Sequence, residues 1–173
     1  PTAEGEFPPE SGDRLNGIGD WMRVYGQSIH GTSASPFPSL PWGRATERRL
    51  DPTTTRLYLH IFEQPTDRVL VVPGLLNEVK AARFMGEPPA RPLAVERRGD
   101  DLRIALGNMP AGAIQASDVV VELDIAGEPD VTIPPSIEAD APIFVDALSV
   151  RVLTARRNVQ VRYTVDGSQP TGL

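Results

Sequence analysis

The chain has 173 residues, 40% of them hydrophobic, which is enough for one or two small domains with their own cores. Its formal net charge is −6, and the basic doublets Arg48-Arg49, Arg97-Arg98 and Arg156-Arg157 stand far apart, which argues against a nucleic-acid footprint. Lacking cysteine, it forms neither disulfides nor thiolate metal centres, and no apolar run approaches the length of a membrane span.

The first expected element is a helix. Pro8-Pro9-Glu10 is a helix-start signal, because proline at the first helical position gives up an N–H that would be unpaired anyway, and Glu10 and Asp13 suit the positive end of the dipole. The helix is predicted from about Pro9 to Tyr25, ending at Gly26. Leu15, Ile18, Met22 and Tyr25 fall at helical spacing, with Trp21 beside them. Gly12, Gly17 and Gly19 each cost up to about 1 kcal/mol relative to alanine. Such a helix needs tertiary packing, and its glycines suggest close enclosure by a neighbour. Nothing earlier in the sequence is long enough to cover the apolar stripe. Residue 1 is proline and DGSQPTGL follows a hairpin-turn signal, so both ends are expected to be cuts within a longer protein. Lys80 is the one lysine among 17 basic residues, a coding bias expected of a GC-rich bacterial gene.

A stiff Ser-, Pro- and Gly-rich connector, GTSASPFPSLP, covers 31–41, and after it the apolar period changes from near 3.6 to 2. TRLYLHIF (55–62) is apolar on both faces and reads as a central strand. RVLVVPG (68–74) is a second strand. LLNEVKAARFMG (75–86) has some helical spacing, but its brevity and flanking turns favour strands. PLAVERRGDDLRIAL (92–106) reads as a hairpin about Gly99-Asp100. In ASDVVVELDIAG (116–127), Val119, Val121, Leu123 and Ile125 are expected inward, with Val120, Glu122 and Asp124 outward. Short strands at near-regular spacing predict an antiparallel sandwich. A Pro-rich linker, EPDVTIPPSIEAD, then leads to 142–171, expected to hold three strands of a partial module with a turn at Asp166-Gly167.

Candidate chemistry is sparse. Glu122 and Asp124 lie two apart on one strand, about 7 Å by strand rise, within the range of glycosidase carboxyl pairs. A solvated outer face explains them better, since no apolar surroundings are visible to raise either pKa. His30 and His60 have no metal-ligand spacing around them; His60, between Tyr58 and Phe62, reads as a packed, hydrogen-bonded residue at a domain contact. Nucleophile motifs are missing, the glycines of GIGDWM sit in a helix rather than a nucleotide-binding turn, and Arg98-Gly99-Asp100 is a hairpin turn. Trp42, Tyr58 and Phe62 would suit a sugar-stacking face if exposed, and core or interface if not. No catalytic, cofactor-binding or metal-ligating residue is therefore assigned.

Three stretches carry a family resemblance. Gly5-Glu6-Phe7-Pro8, Ile18-Gly19-Asp20-Trp21-Met22 and Gly26-Gln27-Ser28-Ile29-His30-Gly31-Thr32 resemble the end of the catalytic domain of the α-L-fucosidases, glycoside hydrolases that retain anomeric configuration. The family pattern runs from a "dG-x-[IF]-P" loop through "[IL]G-x-W[ML]" to "NGE-x-IYGT". Tyr25, Gln27 and His30 depart from its usual Asn, Glu and Tyr, and these positions lie at the helix exit, away from catalysis. LYLHIF and GLLNEVKAARFMG are similar to the sandwich that follows in the same family, extending the likeness to near residue 127. VRYTVDGSQPT is similar to the Ig-like module at the C-terminus of chitobiases.

The resemblance implies a mainly β fold in three parts. Residues 1–32 would be the last loop and helix of a (β/α)8-type barrel, 33–127 an antiparallel β-sandwich, and 128–173 part of an Ig-like module. It also implies that the helix once leaned on barrel strands, and that the catalytic carboxyl groups lie upstream. The partner implied is a fucosylated glycan bound through that catalytic domain, with no metal or organic cofactor and a periplasmic or secreted location. The alternatives are a free-standing carbohydrate-binding module and a structural or interaction sandwich.

Overall fold

A computed structural model describes residues 8–86, 91–108, 118–133, 135–140, 143, 146–154, 160–168 and 170. The chain separates into two units, Pro1–Val131 and Thr132–Leu173. The first unit opens with helix α1 (Pro9–Tyr25), continued by a short 3-10 turn (Gly26–Ser28). Proline stands at its start and Gly26 at its C-cap, as expected. The predicted loop before it, residues 1–7, lies outside the described residues.

Among the described residues seven strands follow: β1 (Gly43–Asp51), β2 (Thr54–Ile61), β3 (Val69–Val72), β4 (Val79–Phe84), β5 (Ala94–Arg98), β6 (Asp101–Ala105) and β7 (Val119–Ala126). They make two antiparallel sheets, one ordered β1-β2-β7-β4 and the other β3-β6-β5. Leu57, Leu59, Ile61, Val121, Leu123, Ile125 and Phe84 of the larger sheet share one core with Leu70, Val72, Leu102 and Ile104 of the smaller. Face-to-face burial of alternating residues is what drives two such sheets together, at about 1.5–3 kcal/mol for each fully buried Val, Leu, Ile or Phe. Trp42 joins this core and donates its indole N–H to the carbonyl of Val71 at 2.7 Å, tying the start of β1 to β3.

The central position of β2 follows from its two apolar faces, and β7 lies between β2 and β4. Strand β4 explains its own helix-like spacing. A register shift between Val79 and Ala81 inserts one extra residue, so Val79, Ala82 and Phe84 all turn toward the core. Lys80, at the bulge, donates to Thr53 O at 2.8 Å and Thr54 Oγ1 at 2.7 Å. Asn77 fixes the approach to β4 by donating to Ala126 O and Glu128 O and accepting from Asp130 N.

Strand β1 has no counterpart in the sequence reading. Only its first residues face the core, and the rest is a charged sheet edge (Arg44, Glu47, Arg48, Arg49, Asp51), a composition that discourages edge pairing with other chains. Gly43 is required where β1 meets β2, because a Cβ there would lie 1.8 Å from the His60 carbonyl oxygen.

The second unit is described by β8 (Ser136–Ala139) and β9 (Val150–Leu153), an antiparallel pair with every residue exposed. Strand β8 lies in the stretch expected to be a linker, and β9 is the one strand among the described residues of 142–171, where three were expected. Part of that expectation, 155–159, lies outside the described residues.

Candidate functional site on the outer face of the larger sheet

The two faces of the larger sheet have different fates. Its inner face is the sandwich core. Its outer face is built in cross-strand rows set by the register: Arg44, His60 and Val120; then Thr46, Tyr58, Glu122 and Arg83; then Arg48, Arg56, Asp124 and Ala81. An outer face exposed to water should be polar throughout. Here Tyr58, Val120 and Met85 form a second apolar cluster, and Trp21 and Tyr25 of α1 pack on it. The Trp21 and Tyr25 rings lie 5.2 Å apart, and the 3-10 turn is tied to β1 by Thr46 Oγ1 donating to Ser28 O at 2.5 Å. Gly86 admits the helix, since a Cβ at that position would come 2.6 Å from Val24 Cγ1.

Only the C-terminal end of α1 is seated in this way. Leu15 and Ile18 remain 52% and 58% exposed, and a Cβ at Gly12, Gly17 or Gly19 would meet nothing within 4 Å. The close enclosure expected of the helix is therefore not supplied by the described residues. The helix carries an apolar stripe whose far half faces outward.

Beside the apolar cluster lies a compact ionic one, and it corrects the expectation that Glu122 and Asp124 are a solvated outer face. Both are nearly buried, at 8% and 9% exposure. Arg56 grips Asp124 with two hydrogen bonds, Nε–Oδ1 at 2.6 Å and Nη2–Oδ2 at 2.9 Å, and reaches Glu122 at 3.3 Å. Arg83 closes the ring, at 2.6 Å from Glu122 and 3.3 Å from Asp124. Burial alone would raise the Asp124 carboxyl; the Arg56 hydrogen bonds and the charges of Arg56 and Arg83 outweigh it and hold it below its ordinary value of 3.8. The Arg56 guanidinium is correspondingly held more firmly protonated, chiefly by its hydrogen bonds to Asp124. Two carboxylates locked by two guanidiniums are charge-neutral. Asp124, held in its charged form by the arginines, does not suit a general acid.

His60 is packed and hydrogen-bonded, as the sequence suggests. It is buried, with Nδ1 at 2.9 Å from Asp118 Oδ2, and His30 is exposed. Trp42 and Tyr58 are 7% and 1% exposed, which removes both from any sugar-stacking surface; Phe62, at 52%, is open. Among the described residues lining a groove of about 280 Å³ bordered by Phe84, Leu93 and Leu106, none is a carboxylate or a histidine. Among the described residues no group of acidic, His or Cys side chains is placed to hold a metal ion, and no helix is long and apolar enough to cross a membrane.

Sequence reasoning placed Trp21, Tyr58, His60, Glu122 and Asp124 as individuals. It missed Arg56, Arg83 and Asp118, whose partners lie 39 to 68 residues away. A cue existed for the ionic cluster, because Arg56 and Arg83 stand directly beside the core residues Leu57 and Phe84.

No family model matches the chain, and no curated protein does. Solved structures do. The chain resembles α-L-fucosidase isoenzyme 1 from Paenibacillus thiaminolyticus at 27% identity and a TM-score of 0.58, over 72% of this chain and 29% of that one. It resembles the α-L-fucosidase from Vibrio sp. strain EJY3 at 25% identity and a TM-score of 0.57, over 73% and 22%. The α-fucosidase of Thermotoga maritima matches at 25% identity and a TM-score of 0.54, over 71% and 28%. The chain thus spans less than a third of the length of each of these enzymes.

Proposed function

We propose that this chain is a non-catalytic C-terminal part of a bacterial α-L-fucosidase that hydrolyses terminal α-L-fucosyl residues with retention. The observation that carries the reading is the structural match to the 27%-identical Paenibacillus enzyme over 72% of the chain. On this reading residues 1–32 end the catalytic barrel, 33–127 form its accessory sandwich, and 128–173 belong to an Ig-like module of the chitobiase C-terminal kind. The parent enzyme is exported to the periplasm or beyond, and meets its fucosylated glycan through the catalytic domain.

The sandwich's role is to brace that domain and to border the approach of substrate. The outward Leu15 and Ile18 stripe supports this, since a helix anchored at one end with an apolar face on the other is suited to bridging two bodies. Burial of Trp42 and Tyr58 weighs against a free-standing carbohydrate-binding module built on those rings.

The carboxyl pair that retaining glycosidases require is not assembled by Glu122 and Asp124, which are neutralised by arginines. The pure 173-residue chain is therefore expected to release no fucose from an aryl α-L-fucoside, while the polypeptide translated in full from its gene releases it. Turnover by the short chain, or none by the full product, would defeat the reading.

A further inference from the structure

We propose that Trp21, His60 and Asp118 form a water-bridged clasp that seats α1 on the sandwich, one water accepting from the indole N–H of Trp21 and donating to Nε2 of His60. The claim concerns the contact of α1 with the larger sheet and stands apart from the enzymatic reading.

The chemistry of the three groups leads there. A carboxylate only accepts, so the Nδ1 proton of His60 points to Asp118 Oδ2 across 2.9 Å. With that proton on Nδ1, a neutral imidazole has its lone pair on Nε2, which can then only accept. His60 Nε2 is buried and has no hydrogen-bond partner among the described residues. Neither has Trp21 Nε1, which can only donate, nor Asp118 Oδ1. The indole and imidazole rings are neighbours, with centroids 6.3 Å apart and planes tilted by 34°. Around them stand Tyr58, Met85, Val120 and Tyr25, so the surroundings are chiefly apolar.

Leaving a donor and an acceptor unpaired in such a place is costly, and folded proteins avoid it. The pair is complementary: one donor and one acceptor, on neighbouring rings tilted by 34°. A single water satisfies both, and Asp118 fixes the tautomer that makes the match possible. His60 and Asp118 are therefore positioning residues for Trp21, and through it for the helix.

The two tryptophans make the test direct. Trp42 already donates to the Val71 carbonyl and serves as the internal reference. In the 15N-labelled 173-residue chain, the Trp21 indole proton is expected to show a rotating-frame Overhauser contact to water that Trp42 lacks, and the His60 ring to carry its proton on Nδ1. In His60→Phe that contact should vanish and Trp21 indole exchange should quicken about tenfold, the scale of one net hydrogen bond, with Trp42 unchanged. His60→Gln, which keeps an acceptor, should restore protection. Absence of the water contact in the unaltered chain overturns the proposal, as does a neutral ring protonated on Nε2 or exchange indifferent to His60→Phe. Should His60→Phe fail to fold, seen as loss of Trp42 protection, the first two measurements decide.

Discussion

Replacing Trp42 with alanine is expected to remove about 3–5 kcal/mol of stability, the usual cost of deleting a large aromatic from a packed core. Trp42 is 7% exposed, lies between the two sheets, and donates to Val71 O at 2.7 Å. The substitution would open a cavity and leave that carbonyl without its indole donor. Against a domain stability of about 5–15 kcal/mol, this is a large fraction of the whole. Urea unfolding should show a lower midpoint with little change in slope. A shift below about 1 kcal/mol would mean that the ring is peripheral, and would reopen the sugar-stacking reading that its burial closes.

The second large effect concerns the ionic ring. Arg56→Leu is expected to cost about 2–3 kcal/mol near neutral pH, because it strips the nearly buried Asp124 of its bidentate partner and leaves Arg83 to serve two carboxylates. The loss should depend on pH in a defined direction. The folded Asp124 carboxyl sits below its ordinary 3.8, with Arg56 among the causes that lower it against burial. A group whose folded value is lowered contributes stability above its unfolded value of about 3.9, and that contribution is lost as pH falls through the folded value. The gap between Arg56→Leu and the unaltered chain should therefore narrow as pH drops from about 5 toward 2. A gap that stays constant over that window would show that the arginine acts through packing of its side chain instead.

These two sites also show what the sequence could and could not disclose. Helix α1 was legible because its signals are local: Pro8-Pro9 at one end, Gly26 at the other, and a stripe between. Strands β2 and β7 were legible because each carries a row of aliphatic residues two apart, Leu57, Leu59 and Ile61 in one and Val121, Leu123 and Ile125 in the other. Strand β1 was not, since an edge strand with Ala45 as its main inward residue has almost no period to detect. The outward position of Glu122 and Asp124 was predicted correctly and their solvation wrongly. Outwardness is a property of strand period, whereas solvation depended on Arg56 and Arg83, which reach them from two other strands. The same holds for His60: its burial could be guessed from Tyr58 and Phe62, but Asp118 and Trp21 reach it only through the fold.

The central claim is that the outward stripe of α1 belongs against a catalytic domain that precedes it. The 173 residues contain no cysteine, so within them a single introduced thiol reports one position, and in the full product the labelled peptide is identified by mass. Ile18→Cys, at a site 58% exposed, should react rapidly with a thiol reagent in the 173-residue chain. In the full product of the gene it should react at least about tenfold more slowly, as expected for a side chain buried at a domain contact. Asp100→Cys, in the hairpin turn between β5 and β6, should react alike in both. Equal labelling of Ile18→Cys in the short and full-length proteins would contradict the account.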